Sequence, residues 1–242
     1  AVMQVDYDAE NGLTGLPQMT FEMTNSLNNP GDVLYDYLTS DRYGAKLTNA
    51  DIDVNSIIGT ANTQMAGYCD ELVAYTNKAN VSTTNKRYEI NGMLSTFDTA
   101  STNIDKICQA SATFFTYNVK DGVFAAIPNR AISTAEKANC LVYNDDNITS
   151  KIDISSTELY SLYNGVEIEF MDQNRKDQTN TILVSTPLAD RNANEPENIL
   201  NYKIDMINDN VRAERLANID LNQSRVATVI QFESDFSGIQ TD

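Results

Sequence analysis

The stretch Asn29-Pro30-Gly31-Asp32-Val33-Leu34-Tyr35-Asp36-Tyr37-Leu38-Thr39-Ser40-Asp41-Arg42-Tyr43-Gly44 reads as a helix with its start and stop written into it. Asn29 has the short polar side chain that caps a helix N-terminus, and Pro30 suits the first helical position, where no amide proton is needed. Val33, Leu34, Tyr37 and Leu38 recur at the spacing of one apolar helix face. Gly44 is read as a left-handed stop, and Arg42 as a C-terminal cation that bonds the last free carbonyls. Standing alone, this is the capped surface helix of any globular protein.

The flanking segments place it in a larger pattern. Leu47-Thr48-Asn49-Ala50-Asp51 has a staple-and-capping arrangement, with Thr48 as cap and Asp51 three residues on; Asp53 or Asn55 could equally open the next helix. In that helix Ile57, Ile58, Ala61, Met65 and Tyr68 or Cys69 share a face, and it ends in Tyr68-Cys69-Asp70-Glu71-Leu72-Val73. Thr76 to Asn85 reads as a polar spacer. Arg87 to Leu94 alternates like a half-buried strand, and Ser101 to Ala112 carries Ile104, Ile107 and Cys108 at helical spacing. Thr113–Tyr117 and Val123–Ile127 flank the hairpin turn Lys120-Asp121-Gly122, and Pro128-Asn129-Arg130 closes the unit. Beyond Asn164-Gly165, Val166, Ile168 and Phe170 alternate with Glu167 and Glu169. A second strand, Thr181 to Ser185, pairs with that one across the polar loop Asp172 to Gln178. Val211 opens a helix with Ala213, Leu216, Ala217 and Leu221 on one side, and Arg225 to Phe232 follows as a strand.

In this order the segments resemble the phage tail tip attachment (host-specificity) proteins, the tail hubs of lambda-like phages. The first block has the form NPxxxLYDxLTxxRYG, carried here by Asn29, Pro30, Leu34, Tyr35, Asp36, Leu38, Thr39, Arg42, Tyr43 and Gly44. Tyr68-Cys69-Asp70-Glu71 is similar to the family's YCDE, Arg87-Tyr88 with Asn91-Gly92 and Leu94 to its RYxxNGxL, and Arg212 to Ala217 to its RxxRLA helix leading into a strand. The likeness covers roughly residues 20–238. It implies an α+β chain: a β-rich hub architecture with an inserted helical segment and a small β-α-β-β unit. The expected divisions are an N-terminal hub strand segment, 1–28; a helical segment, 29–80; the β-α-β-β unit, 86–130; and a β-rich, barrel-like domain with one helix, 131–242. The chain begins and ends without the flanking hub strands and modules, so it reads as a slice of a longer protein.

Composition bounds the chemistry. The 242 residues, 41% of them hydrophobic, can build one large or two to three small domains. No apolar run approaches the ~20 residues that span a membrane. Three cysteines, Cys69, Cys108 and Cys140, lack a CxxC spacing; two lie on apolar helix faces and read as buried thiols of a reducing compartment. In that setting the sequons at Asn80, Asn147 and Asn222 carry no meaning. A net charge of −17 disfavours binding to phosphate backbones, which needs clustered Lys and Arg. Lys86-Arg87 and Arg175-Lys176 are pairs expected to meet neighbouring carboxylates.

The chain has no histidine, which removes Ser-His-Asp and Cys-His nucleophilic sites and His-containing zinc sites. There is no P-loop and no GxGxxG. Two carboxylates would suffice for glycoside hydrolysis, but Glu167 with Glu169 reads as an exposed strand face, and Asp145 with Asp146 as an Asx turn. Asp190-Arg191-Asn192-Ala193-Asn194 and Asp172-Gln173-Asn174 begin like calcium loops but lack the glycine and the final glutamate. No catalytic, cofactor or metal residue is assigned, and the chain is read as a non-enzyme. The resemblance implies a structural virion protein of the tail, assembled in the bacterial cytoplasm: a homotrimer in contact with distal tail or tail tube, tape measure and fibre or tip proteins, through which DNA passes without being bound. The alternatives are a receptor-binding or adhesin module and the hub of a bacterial contractile injection system.

Overall fold

Asn29 does open the first helix. In the structure, a computed structural model that describes residues 26–76, 81–226 and 228–235, its side chain accepts from the Gly31 amide and Pro30 takes the first turn. Helix α1 (Pro30–Thr39) buries Leu34, Tyr37 and Leu38. Two short helices follow, α2 (Val54–Ile57), capped by Asp53, and α3 (Met65–Asp70). Strands β1 (Leu72–Thr76) and β2 (Ser82–Lys86) pair antiparallel. Helix α4 (Ala100–Gln109), capped by Thr99, leads into the hairpin β3 (Thr113–Asn118) and β4 (Val123–Pro128). Next come α5 (Thr134–Asn139), β5 (Asp153–Ser156), β6 (Gly165–Asp172), β7 (Gln178–Ser185), β8 (Ile199–Ile204), α6 (Asn210–Ser224) and β9 (Thr228–Gln231).

The chain is α+β, as expected. In the three-stranded sheet β6 is central: β7 pairs with it antiparallel and β8 parallel. Val166, Ile168 and Phe170 are all fully buried on one face of β6, as the alternation requires, and the apolar stripe of α6 (Ala213, Leu216, Ala217, Leu221) is buried too. Leu34, Leu38, Ile57, Met65 and Tyr88 join this same core cluster. The hairpin turns at Lys120-Asp121-Gly122, with Gly122 at φ +73.

Several expectations are corrected. Among the described residues the strands form three two-stranded sheets and one three-stranded sheet, and none closes into a barrel. The helical segment 29–80 is broken: α2 stops at Ile57, Gly59 at φ +142 is incompatible with a helix, and Ala61 is exposed. The C-terminal part of that segment and of the polar spacer is strand, β1 and β2. Arg87 to Leu94 is not a strand of a ladder. Its alternation is real, since Tyr88 is 1% and Ile90 4% exposed. Its amides, however, bond to no single strand: Arg87 to Glu71 O and Tyr88 to Cys69 O at the end of α3, Ile90 to Asn28 O and Asn91 to Met206 O. The expected β-α-β-β unit is therefore an extended connector followed by α4, β3 and β4. Residues 1–25 of the expected N-terminal strand segment lie outside the described residues, and 26–28 form no strand.

The stop of α1 also differs from its reading. The left-handed residue of the following loop is Lys46 (φ 57), not Gly44. Gly44 is needed for proximity instead: a Cβ there would fall 1.8 Å from the Tyr37 carbonyl oxygen. Arg42 is exposed and does not cap, because the terminal carbonyls are already taken by backbone. Ser40 N–H donates to Asp36 O, Ala45 N–H to Tyr37 O and Leu47 N–H to Leu38 O.

Candidate functional site: a joint built from the sequence motifs

The residues of the first block are joints between elements. Asn29, 5% exposed, caps α1 and also donates from Nδ2 to Ala66 O at 3.0 Å, which ties α1 to α3. Gly31 lets the two helices touch, since a Cβ there would lie 2.6 Å from the Ala66 nitrogen. Pro30, Leu34 and Leu38 are buried in the contact. The half-buried Tyr35 and Asp36 and the exposed Tyr43 are tied locally: Tyr35 Oη donates to Asn49 Oδ1 at 2.9 Å and Tyr43 Oη to Asp36 Oδ2 at 2.6 Å. Accepting that bond makes the Asp36 carboxylate the first cause of the raised Tyr43 phenol pKa.

The other motifs, whose contacting residues lie as far as 128 positions apart in the chain, meet in one polar cluster. Arg87 pairs with Glu71 at 2.7 Å, and its guanidinium lies 4.4 Å from the centroid of the Tyr68 ring. Arg212, 6% exposed, pairs with Glu89 and, at 3.2 Å, with Asp209, the cap of α6. Asn28 Nδ2 donates to the other oxygen of Glu89 at 3.2 Å. Arg215 has neutral partners: it donates to the carbonyls of Lys86, Arg87 and Val73 and to Asn85 Oδ1. Burial, together with the like charges of Arg87 and Arg212, lowers its pKa. Tyr68 Oη reaches Asn129 O at 2.9 Å, and Asn91 Nδ2 reaches Asn208 Oδ1 at 3.1 Å. A Cβ at Gly92 would meet the backbone of Asp205 at 2.8 Å. The cluster thus clamps the connector 87–95 between α3, the start of α6 and the segment after β8. Removing one partner of such a buried pair costs about 3–5 kcal/mol, because the other charge is left uncompensated.

Two cavities adjoin this joint. One, of about 280 Å³, lies beside α1 and is lined by Asp36, Tyr37 and Tyr43 of the first block, by Ile90, Gly92 and Leu94 of the connector, and by Asn103. Asn103 is 1% exposed; its Nδ2 donates to Tyr37 Oη and Ser95 O, while its Oδ1 has no donor among the described residues. A buried acceptor left in that state costs roughly 1–3 kcal/mol. The other, about 940 Å³, runs between β1 and the start of α6 and includes Arg215, Glu214 and Asp172.

The remaining acidic and thiol candidates are engaged or inert. Asp172 accepts from the Asn174 amide at 2.9 Å and from Asn180 Nδ2 at 2.9 Å, so its loop is an Asx turn. In the loop after Asp190, Glu195 is held by Arg225 Nη1 at 2.7 Å, the Asn192 amide at 2.8 Å and Asn164 Nδ2 at 3.2 Å. These partners, Arg225 first, hold the Glu195 carboxyl down to about 2. Among the described residues no three His, Cys, Asp or Glu side chains gather as a metal site. Asp145 and Asp146 sit in a turn held by Asn144 and Asn147, and Glu167 and Glu169 lie half-buried on the face of β6 opposite the core. Cys69 and Cys108 are buried and Cys140 exposed. Burial raises the Cys69 thiol and pushes Cys108 up to about 12, which keeps both protonated at neutral pH. Of the two basic pairs, Lys86, Arg87 and Arg175 meet carboxylates, those of Asp70, Glu71 and Asp172, whereas Lys176 forms no ion pair among the described residues.

The motifs are legible in the sequence, but the contacts between them are not. The pairing of Arg212 with Glu89 and the burial of Asn103 have no local signature, since Asn103 is a polar residue inside an apolar helical pattern. No helix of the described residues is long and apolar enough to cross a membrane. Comparison with protein-family models and with curated proteins finds no match.

Proposed function

We propose that this chain is a structural part of a phage tail: the hub of a tail tip or baseplate, which closes the tail tube and anchors the parts that attach to the host. The observation that carries this reading is the block Asn29–Gly44, followed in order by Tyr68–Glu71, Arg87–Leu94 and Arg212–Ala217. The joint supports it. The residues that make these motifs recognisable hold elements together, and their polar groups are largely spent on one another. That is the economy of an assembly part, in which no residue carries out bond chemistry.

In this reading three copies form a ring in contact with tail-tube, tape-measure and fibre or tip proteins. The acidic balance lets DNA pass without sticking, because like-charged surfaces repel within the screening length of about 8 Å. The test is the intact particle and its genes. Tape-measure and tail-tube genes beside this one, with light scattering of the purified protein as a trimer, are the expected results. A stable dimer or tetramer, or an isolated adhesin at a distal fibre tip, would overturn the assignment. Micromolar, salt-sensitive binding to duplex DNA at about 20 mM salt would overturn the passive wall.

A further inference from the structure

The ribbon of β5 and β9 has an apolar side that nothing covers. Among the described residues its strands pair only with each other, from Asp153↔Gln231 to Ser156↔Thr228, and the bridge Ile148↔Ser234 prolongs the contact. All eight residues of the two strands are exposed. Side chains alternate across a strand, so Ile154, Ser156, Thr228 and Ile230 share one side, and Asp153, Ser155, Val229 and Gln231 the other. The same alternation, carried one residue past the ladder, adds Ile152 and Phe232 to the first side, which then holds no charge. Ile152, Ile154 and Ile230 are 45%, 71% and 58% exposed, and the Phe232 ring packs edge-on against Tyr143 with centroids 4.9 Å apart. Apolar residues gathered on one side are the pattern of a strand pair with that side buried, and a bare two-stranded ribbon is marginal in water.

We propose that this side is a contact surface between copies of the chain, the ribbon of one copy packing on that of the next. Chains of net charge −17 repel one another within a screening length of about 8 Å, so copies meet most readily where a surface carries no charge. A basic partner, by contrast, is drawn to carboxylates, and this side has none. The area also suits a copy. The open isoleucines, with Phe232 and Tyr143, offer on the order of 400 Å² of apolar surface, the size of patch that marks an interaction site. Three such sides meeting around one axis remove on the order of 1,200 Å² from water, the lower end of specific interfaces, before any polar rim is counted. The number three rests on the tail-hub reading, in which the ribbons close the ring at its axis; the contact between copies does not.

The test is sedimentation velocity of the full chain from about 1 to 200 μM. The parent is expected to associate with a midpoint in the micromolar range, and more tightly as salt is raised, because screening weakens the repulsion between acidic copies. Ile154→Asp and Ile230→Asp should each weaken association at least about tenfold, by placing a carboxylate in the contact. Neither side chain enters the core, so in dilute, dissociated solution both variants should melt as the parent does. Val229→Asp, which adds the same charge on the opposite side of the ribbon, should associate as the parent does. Association undiminished in the Ile154→Asp and Ile230→Asp proteins, or weakened equally by Val229→Asp, would overturn the ribbon contact and leave the hub reading in place. A parent dimer that the two ribbon variants dissolve would support the contact and overturn the hub. A parent that stays monomeric throughout would overturn both.

Discussion

Two regions of this chain carry equally well-formed local structure and differ in what lies beneath it. In β6 the burial pattern alternates as the side chains do, and Val166, Ile168 and Phe170 are sealed under α6. In β5 and β9 all four residues of each strand are exposed, although the two strands pair in register from Asp153↔Gln231 to Ser156↔Thr228. Helix α5 has a complete capping box, Ser133 with Glu136, and buries nothing. Hydrogen bonds and caps are therefore enough to shape a segment, but burial of apolar surface is what supplies its stability. A two-stranded ribbon by itself is marginal in water. Its Ile154 and Ile230, cross-strand partners, are 71% and 58% exposed.

The largest contrast is expected from placing a charge in each region. Leu34→Asp puts an unpaired carboxylate into the core and should abolish cooperative thermal unfolding, at a cost of several kcal/mol. Ile154→Asp should leave the melting temperature within a degree or so of the parent, by the small effect of surface changes. A folded Leu34→Asp protein, or equal damage from both, would break the distinction.

Ion pairs sharpen it next. Arg212→Ala should cost about 3–5 kcal/mol in denaturant unfolding, because Glu89 and Asp209 stay behind partly buried. Arg130→Ala breaks the pair with Glu136 beside α5 and should cost no more than about 1 kcal/mol. Caps follow the same order. Asn29→Ala should cost about 1–2 kcal/mol, since it also loses the bond to Ala66. Ser133→Ala should speed amide exchange within α5 and leave global stability unchanged to within a few tenths of a kcal/mol.

The smallest effect concerns pH. The folded Glu195 carboxyl is held at about 2, below its ordinary 4.5. The stability it contributes is fully present above pH 4.5 and is lost as pH falls toward 2. Arg225→Ala should therefore reduce the acid sensitivity in that window, and amides of the loop 186–198 should report it. An unchanged acid profile would show that the Glu195–Arg225 pair does not govern that loop.

The features that could be read without the fold are those whose causes lie within one element. Asn29 with Pro30 caps α1, the alternation of Val166, Ile168 and Phe170 defines β6, and the stripe from Ala213 to Leu221 defines the inner face of α6. Capping chemistry and periodicity act over a turn or two, so neighbouring residues suffice to specify them. Tertiary structure alone decided the rest. Arg87 to Leu94 has a strand's alternation, but its amides go to four different partners, so the ladder never forms. Gly44 serves the close passage of the loop over Tyr37 rather than a left-handed turn. Arg212 and Glu89 lie 123 positions apart, and neither residue type specifies the other. Which charge meets which, and which buried amide is left without a donor, depends on how separate elements are brought together, and no short stretch of the chain contains that information.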